Sequence, residues 1–169
     1  MAKKVADQLV DTLEKAGVRR IYAVTGDSLN EVNEAVRKNG RLRWIHVRHE
    51  ETGAYAAAAE AQLTGELACC AGSSGPGHVH LINGLYDAQR SGAPVLAIAS
   101  TIPSREFGTE YFQETNTIKL FDDCSYYNQV ATTPEQFPRM LQGAMQAAIS
   151  SCGVGVIGLP GDLAAENAT

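Results

Sequence analysis

The sequence predicts an α/β fold in three layers, a doubly wound parallel sheet of about six strands with helices on both faces. Three observations lead there. Apolar runs alternate with segments of helical periodicity along all 169 residues. The runs "LACCAG", "PVLAIAS" and "GVGVIGLP" are apolar at nearly every position, as strands buried on both faces are. Strand-helix-strand units of this kind cross over right-handed, which makes the sheet parallel and covers it on both sides.

The first helix is expected over Val5–Ala16, where Val5, Leu9, Thr12, Leu13 and Ala16 recur at helical spacing and Gly17 stops the run. "RIYAVTG" reads as a short strand ending at Gly26. A second helix follows, capped by Asp27 or Ser28, with Leu29, Val32, Ala35 and Val36 on one face and its end near Gly40. "LRWIHV" is the second strand. The alanine-dominated "HEETGAYAAAAEAQLTG" is the third helix, buried because small side chains permit close approach to a neighbour. "LACCAG" is a strand, "PGHVHLINGLYDAQRSG" one helix, and "PVLAIAS" another strand. Residues 101–124 form the least regular segment, with one or two helical turns in "IKLFDDC". "SYYNQVA" is a strand, the helix of "TPEQFPRMLQGAMQAAIS" has its interior after Pro138, and "GVGVIGLP" closes the sheet. One domain is expected over residues 1–162, with 163–169 a tail or the start of a linker.

Composition narrows the function. The formal net charge is -5 and no block of lysine and arginine exists, which argues against a nucleic-acid partner. No apolar run approaches the ~18 residues of a membrane span, and the start "MAKKVADQLV" lacks the apolar core of a secretory signal. Cys69 and Cys70 are adjacent and point to opposite faces of a strand; with Cys124 and Cys152 they form neither a CxxC pair nor a zinc knuckle. A reducing cytoplasm is the expected setting.

Several stretches could carry chemistry. "GSSGPG", Gly72–Gly77, is a glycine-rich turn between strand and helix. It lacks the lysine of a P-loop and the spacing of a dinucleotide turn, so it is either a polar-ligand cradle at a helix N-terminus or a purely structural turn. "RHEE", Arg48–Glu51, lies where a strand hands over to the alanine-rich helix, at the edge where doubly wound sheets bind ligands. Glu50 and Glu51 diverge around the helix, so one of them can do acid-base work while the alternative is capping and a solvated surface pair. His46, His49, His78 and His80 show no HExxH spacing, and no metal ligands are assigned. "EYFQE", Glu110–Glu114, could line a pocket, meet another subunit or cover a sheet edge.

Taken together, "VTGDSLN", "RHEETGAYAAAAEAQLTGELACCAGSSGPGHVHLINGLYDAQRSGAPVLAIA", "GTEYFQET" and "GVGVIGLPGD" resemble the N-terminal pyrimidine-binding domain of thiamine-diphosphate-dependent enzymes. Within it they are most similar to bacterial pyruvate oxidase and quinone-linked pyruvate dehydrogenase. The resemblance implies the thiamin-diphosphate-binding fold. It also implies that Glu50 hydrogen-bonds the aminopyrimidine ring, favouring the imino tautomer whose nitrogen takes the proton from thiazolium C2. Gly26 and the turn Ser74, Gly75, Pro76 and Gly77 would wall the pyrimidine. Phe112 and Gln113, in the "FQE" element, would reach the substrate side. Thr25 stands where many relatives have proline, which favours the pyruvate-dehydrogenase branch.

The resemblance further implies thiamine diphosphate as cofactor, with Mg²⁺ and FAD for the complete enzyme but not held by this chain. No "GDG...N" element for Mg²⁺ and diphosphate appears, since "TGD" and "PGD" lack the downstream asparagine. The chain is therefore expected to be half a site: a fragment or split subunit, inactive alone. It would self-associate as a dimer or higher and be completed by the diphosphate-binding domain of a second subunit. The implied activity is oxidative decarboxylation of pyruvate in the cytoplasm, with the whole enzyme peripheral to the inner membrane. A carboligase of the acetolactate synthase or glyoxylate carboligase type is the alternative, and a non-catalytic α/β assembly module the second.

Overall fold

The computed structural model describes residues 2–169. Six strands form one sheet: β1 (Arg20–Ala23), β2 (Arg43–His46), β3 (Ala68–Gly72), β4 (Val95–Thr101), β5 (Tyr127–Val130) and β6 (Val154–Pro160). Their order is β2-β1-β3-β4-β6-β5 and every neighbouring pair is parallel. The register pairs Ile21 with Cys69, Cys69 with Leu96, and Leu96 with Gly155 across the centre. All residues of β3, β4 and β6 are buried, which is why those runs carry no polar alternation.

Eight helices accompany the sheet: α1 (Val5–Lys15), α2 (Asn30–Asn39), α3 (Glu50–Thr64), α4 (Pro76–Val79), α5 (Ile82–Arg90), α6 (Thr117–Leu120), α7 (Phe137–Ser151) and α8 (Gly161–Ala165). Leu9, Leu13, Val32, Leu141 and Ala148 of α1, α2 and α7 pack with Cys69, Ile98 and Ile157 on one face. Ala54, Ala57, Ala58 and Leu85 of α3 and α5 pack with Cys70, Ala97 and Val156 on the other. Cys69 and Cys70 thus enter opposite cores, as adjacent strand residues must. The four cysteines are unpaired thiols.

The structure differs from the sequence reading in three places. The α2 helix begins at Asn30, after a 3₁₀ turn over Asp27–Leu29. Asp27 Oδ1 accepts from its neighbour Ser28 N, while the Ser28 hydroxyl is turned away into side-chain hydrogen bonds. The single helix expected over 76–92 is broken into α4 and α5, with His80 and Leu81 between them. Residues read as the C-terminal tail instead include α8, which buries Leu163 and Ala164, and Asn167 bridges back to Lys4. Apolar residues at 163 and 164 fit the groove beside α1 and α2, a tertiary gain that a five-residue segment does not advertise.

Candidate functional site

The chain winds outward from β1 to β2 and then crosses to β3 on the far side of β1. In an open parallel sheet the crevice at the carboxyl ends of such strands is where ligands bind. Three segments meet there: Gly26–Ser28 after β1, the start of α3 after β2, and Gly72–Gly77 after β3.

Glu50 opens α3, with the His49 ring as its cap: Nδ1 accepts from Glu51 N at 3.3 Å. The Glu50 side chain is 12% exposed, against 37% for Glu51. His80 Nδ1 donates to Glu50 Oε2 at 3.0 Å, and the His80 ring stacks on His49 with centroids 4.4 Å apart. Glu51 turns the other way and accepts from Asn83 Nδ2 at 3.2 Å. His49, Glu50 and His80 place ligand-type atoms within 4.8 Å of one another, a grouping that the HExxH test on spacing could not reveal. Both Nδ1 atoms are already engaged in hydrogen bonds, that of His49 with Glu51 N and that of His80 with Glu50 Oε2. The arrangement therefore orients a carboxylate by a charge-assisted hydrogen bond.

The turn after β3 is folded by close approaches. Gly75 has φ +65°, and a Cβ there would stand 2.7 Å from Gln113 Cβ. A Cβ on Gly26 would stand 2.3 Å from Ser73 Oγ. Only glycine lets these segments come so close. Gly77 packs more loosely: a Cβ there would lie 3.1 Å from Ser73 Cβ and 3.5 Å from Glu50 Oε1, so the glycine brings the turn into contact with the carboxylate.

Serines tie the segments together. Ser28 Oγ meets Ser73 Oγ at 2.9 Å and accepts from Ser74 N at 3.0 Å. Ser100 Oγ donates to Ser28 O at 2.8 Å, and Ser74 Oγ donates to Gln113 Oε1 at 3.1 Å. Sequence reasoning named Ser74 and missed Ser28, Ser73 and Ser100 in this role, because a serine beside a turn usually caps or faces water. Ser28, Ser74, Phe112 and Gln113 line a cavity of about 190 Å³. Phe112 is 71% exposed, so "EYFQE" aims its glutamine inward and leaves its phenylalanine open. Glu50 and Gly77 form one group of expected site residues, Ser74, Gly75 and Gln113 another, and Ser73 packs against both Gly26 and Gly77 between them. The 72–77 turn is common to both. A larger cavity of about 770 Å³, lined by Phe107, Tyr111, Ile118 and Val130, holds none of them.

The two nearby histidines divide. His80 reaches Glu50, whereas His78 is buried and points toward Ser100 and Thr115. Burial pulls the His78 pKa below its ordinary value.

A parallel sheet, a glycine turn at its switch point and a covered glutamate at a helix start are shared by many α/β enzymes, so similarity to known sequences decides the family. The family model "Thiamine pyrophosphate enzyme, N-terminal TPP binding domain" matches residues 3–120. The chain belongs to this family. The TPP-binding domain is 57% identical over 161 residues, 95% of its length, to a Pseudomonas amyloderamosa protein described as "Uncharacterized 42.6 kDa protein in isoamylase 3'region". It is 46% identical over 98% of its length to the putative thiamine pyrophosphate-containing protein YdaP of Bacillus subtilis. Identity to the pyruvate oxidase of Lactiplantibacillus plantarum is 39% over 92% of the chain. The chain spans 41%, 29% and 26% of these relatives' respective lengths. Among the described residues no helix is long and apolar enough to cross a membrane.

Proposed function

We propose that this chain supplies the pyrimidine-binding half of a thiamine-diphosphate-dependent enzyme that oxidatively decarboxylates pyruvate, with Glu50 engaging the aminopyrimidine. The observation that carries this is the Glu50 carboxylate. It is largely covered and held through Oε2 by His80, while Oε1 lies beside the backbone of Gly77. That fits a flat ring whose nitrogen donates to Oε1.

When bound, thiamine diphosphate supplies the carbon nucleophile and the electron sink for loss of carbon dioxide. Glu50 accepts a hydrogen bond from the ring nitrogen and favours a proton at that atom. In a covered setting this contact is stronger than in water. Gly26 and the backbone of Ser74, Gly75, Pro76 and Gly77 wall the ring. Gln113 has its Oε1 taken by Ser74, which leaves its Nε2 hydrogens for a substrate oxygen. Phe112 lines the same small cavity and offers that side an apolar surface. Similarity to pyruvate oxidase supports pyruvate as substrate. In this reading Mg²⁺, diphosphate and flavin contacts come from other segments of the enzyme and from a second subunit in a dimer.

The test is deuterium exchange at thiazolium C2, followed by NMR on the assembled enzyme. Glu50→Gln keeps the shape and removes the carboxylate; exchange should slow about 100-fold. Glu51→Gln should stay within about twofold of wild type, since exposed substitutions away from such features are mild. A Glu50→Gln enzyme that exchanges like wild type overturns the assignment.

A further inference from the structure

The segment Ser104–Asn116 carries Phe112 and Gln113 and is irregular throughout most of its length. Two of its residues, Glu110 (φ 59°) and Gln113 (φ 72°), adopt left-handed conformations that side chains other than glycine avoid. Such a shape persists only where surrounding contacts hold it. At its start, Asp162 grips Ser104: the backbone N donates to Oδ1 and Oδ2 at 2.9 and 3.0 Å, and the hydroxyl to Oδ2 at 2.7 Å. Within it, Glu114 Oε1 accepts from Gly108 N at 2.6 Å. At its end stands His78.

His78 is 1% exposed and bridges two elements. Its Nδ1 lies 2.8 Å from Ser100 O at the end of β4, and its Nε2 lies 2.6 Å from Thr115 Oγ1. A carbonyl oxygen only accepts, so Nδ1 carries the proton. In the neutral ring Nε2 is then an acceptor, and Thr115 donates to it. Ser100 is the same residue whose hydroxyl binds Ser28 O and Leu159 O, so the histidine connects the loop to the serine network at the strand ends. Its ring lies tilted against Phe121, with centroids 5.9 Å apart. The pin sits two residues beyond Gln113, whose amide is in turn held by Ser74.

We propose that His78 is a positioning residue: through its Nδ1–H to Ser100 O and its Nε2 to Thr115 Oγ1 it locks the Ser104–Asn116 loop so that Gln113 is presented to the substrate. This rests on the reading of Gln113 as substrate-facing, and it separates the loop's task from that of Glu50. Glu50 is reached by His80, on the other side of the turn, and not by His78.

The experiment uses His78→Asn, which keeps a donor toward Ser100 and cannot span to Thr115, and Thr115→Val, which removes only the hydroxyl. On the assembled enzyme, hydrogen exchange read by mass spectrometry should speed up about tenfold across residues 104–116 in both variants, the population change expected from one lost hydrogen bond. Peptides from α1 and β4 should exchange as in wild type. The double variant should exchange no faster than either single one, since both remove the same contact. kcat/KM for pyruvate should fall about tenfold, while C2 exchange stays within about twofold of wild type. Unchanged loop exchange overturns the pin. Faster loop exchange with unchanged kcat/KM overturns the positioning role. An enzyme whose wild type ignores pyruvate refutes the substrate reading instead, and the exchange data still decide whether the pin exists. Thr115→Val decides the question if His78→Asn fails to fold.

Discussion

Gly84→Ala puts the packing that holds Glu50 to a quantitative test. Gly84 lies in α5 against the alanine-rich α3, which Glu50 opens. A Cβ at Gly84 would stand 2.5 Å from Ala54 Cβ, 2.6 Å from Tyr55 N and 2.8 Å from Ala54 C. Ordinary carbon contact needs about 1 Å more. The obstacles are a backbone and a Cβ, which no rotamer change can move, so the two helices must separate. Alanine in a helix gains at most about 1 kcal/mol over glycine. Overpacking of a dense core costs about 1–3 kcal/mol, and backbone obstacles place this site at the upper end. The clash wins, with a net loss of about 2 kcal/mol. At roughly 2–4 °C per kcal/mol for a chain of this size, Tm should fall by about 4–8 °C. Gly143→Ala is the matched control in α7. Its Cβ would meet Tyr127 Cε2 at 3.1 Å, the edge of a partly exposed ring that can yield. There the helix propensity wins, and Tm should hold or rise by about 2 °C. Calorimetry or thermal circular dichroism reads both. A Gly84→Ala chain as stable as wild type would show that α3 and α5 are loosely packed and refute the argument.

Two further outcomes follow from the side chains. Burial raises the Asp162 carboxyl pKa, but the Ser104 N–H and hydroxyl outweigh it and leave the group below its ordinary value of 3.8. Its folded pKa being the lower, its stabilisation is fully present above the ordinary value of 3.8 and is lost below it, as pH falls through the folded value. Asp162→Asn should therefore lower Tm at pH 7 and flatten the decline in Tm below about pH 4; parallel acid limbs would refute the pairing. Burial pushes the Cys70 thiol up to about 12 and Cys124 to about 11, and Cys69 well above its ordinary value, while Cys152 is exposed. A disulfide exchange reagent at pH 8 should consume one thiol quickly in the native chain and four in denaturant; fast reaction of a second native thiol would contradict the buried sheet.

The architecture was legible because its signals are summed over many residues. Continuous apolar runs such as "VLAIAS" predict strands covered on both faces, and β4 is buried at every position. The adjacent cysteines of β3 entered opposite cores as the period of a strand requires. Gly17, Gly40 and Gly65 stand at the ends of the helical patterns, and all three have positive φ. What escaped reading depends on distant partners. His80 lies thirty positions after Glu50, and only the α3–α5 packing brings them together. Ser28 looked like a helix cap, yet its hydroxyl found Ser73 instead. The break between α4 and α5 has no proline or glycine at His80 and Leu81 to announce it. The alternating helix face of "PGHVHLINGLYDAQRSG" reads straight through it.

The two groups around the 72–77 turn are held by different physics. Glu50 is positioned by backbone packing: α3 sits against α5 through Gly84 and against β1 through Gly53, where a Cβ would be 3.1 Å from Tyr22 O. Such contacts are short-range and stiff, and they leave a carboxylate little freedom. Gln113 sits on an irregular segment with left-handed residues, and that segment is held by hydrogen bonds from Ser74 to Gln113, from Thr115 to His78 and from Ser104 to Asp162. Each of those bonds contributes about 1 kcal/mol, or about 1.5–3 to a charged group, so that segment opens at far lower cost than the sheet. Perturbations should therefore separate. Crowding the α3–α5 contact displaces the carboxylate and should slow C2 exchange, while cutting the loop's side-chain pins should leave that exchange intact and reduce turnover. A variant at Gly84 that spared C2 exchange, or one at Thr115 that abolished it, would mean that the two groups move as one body.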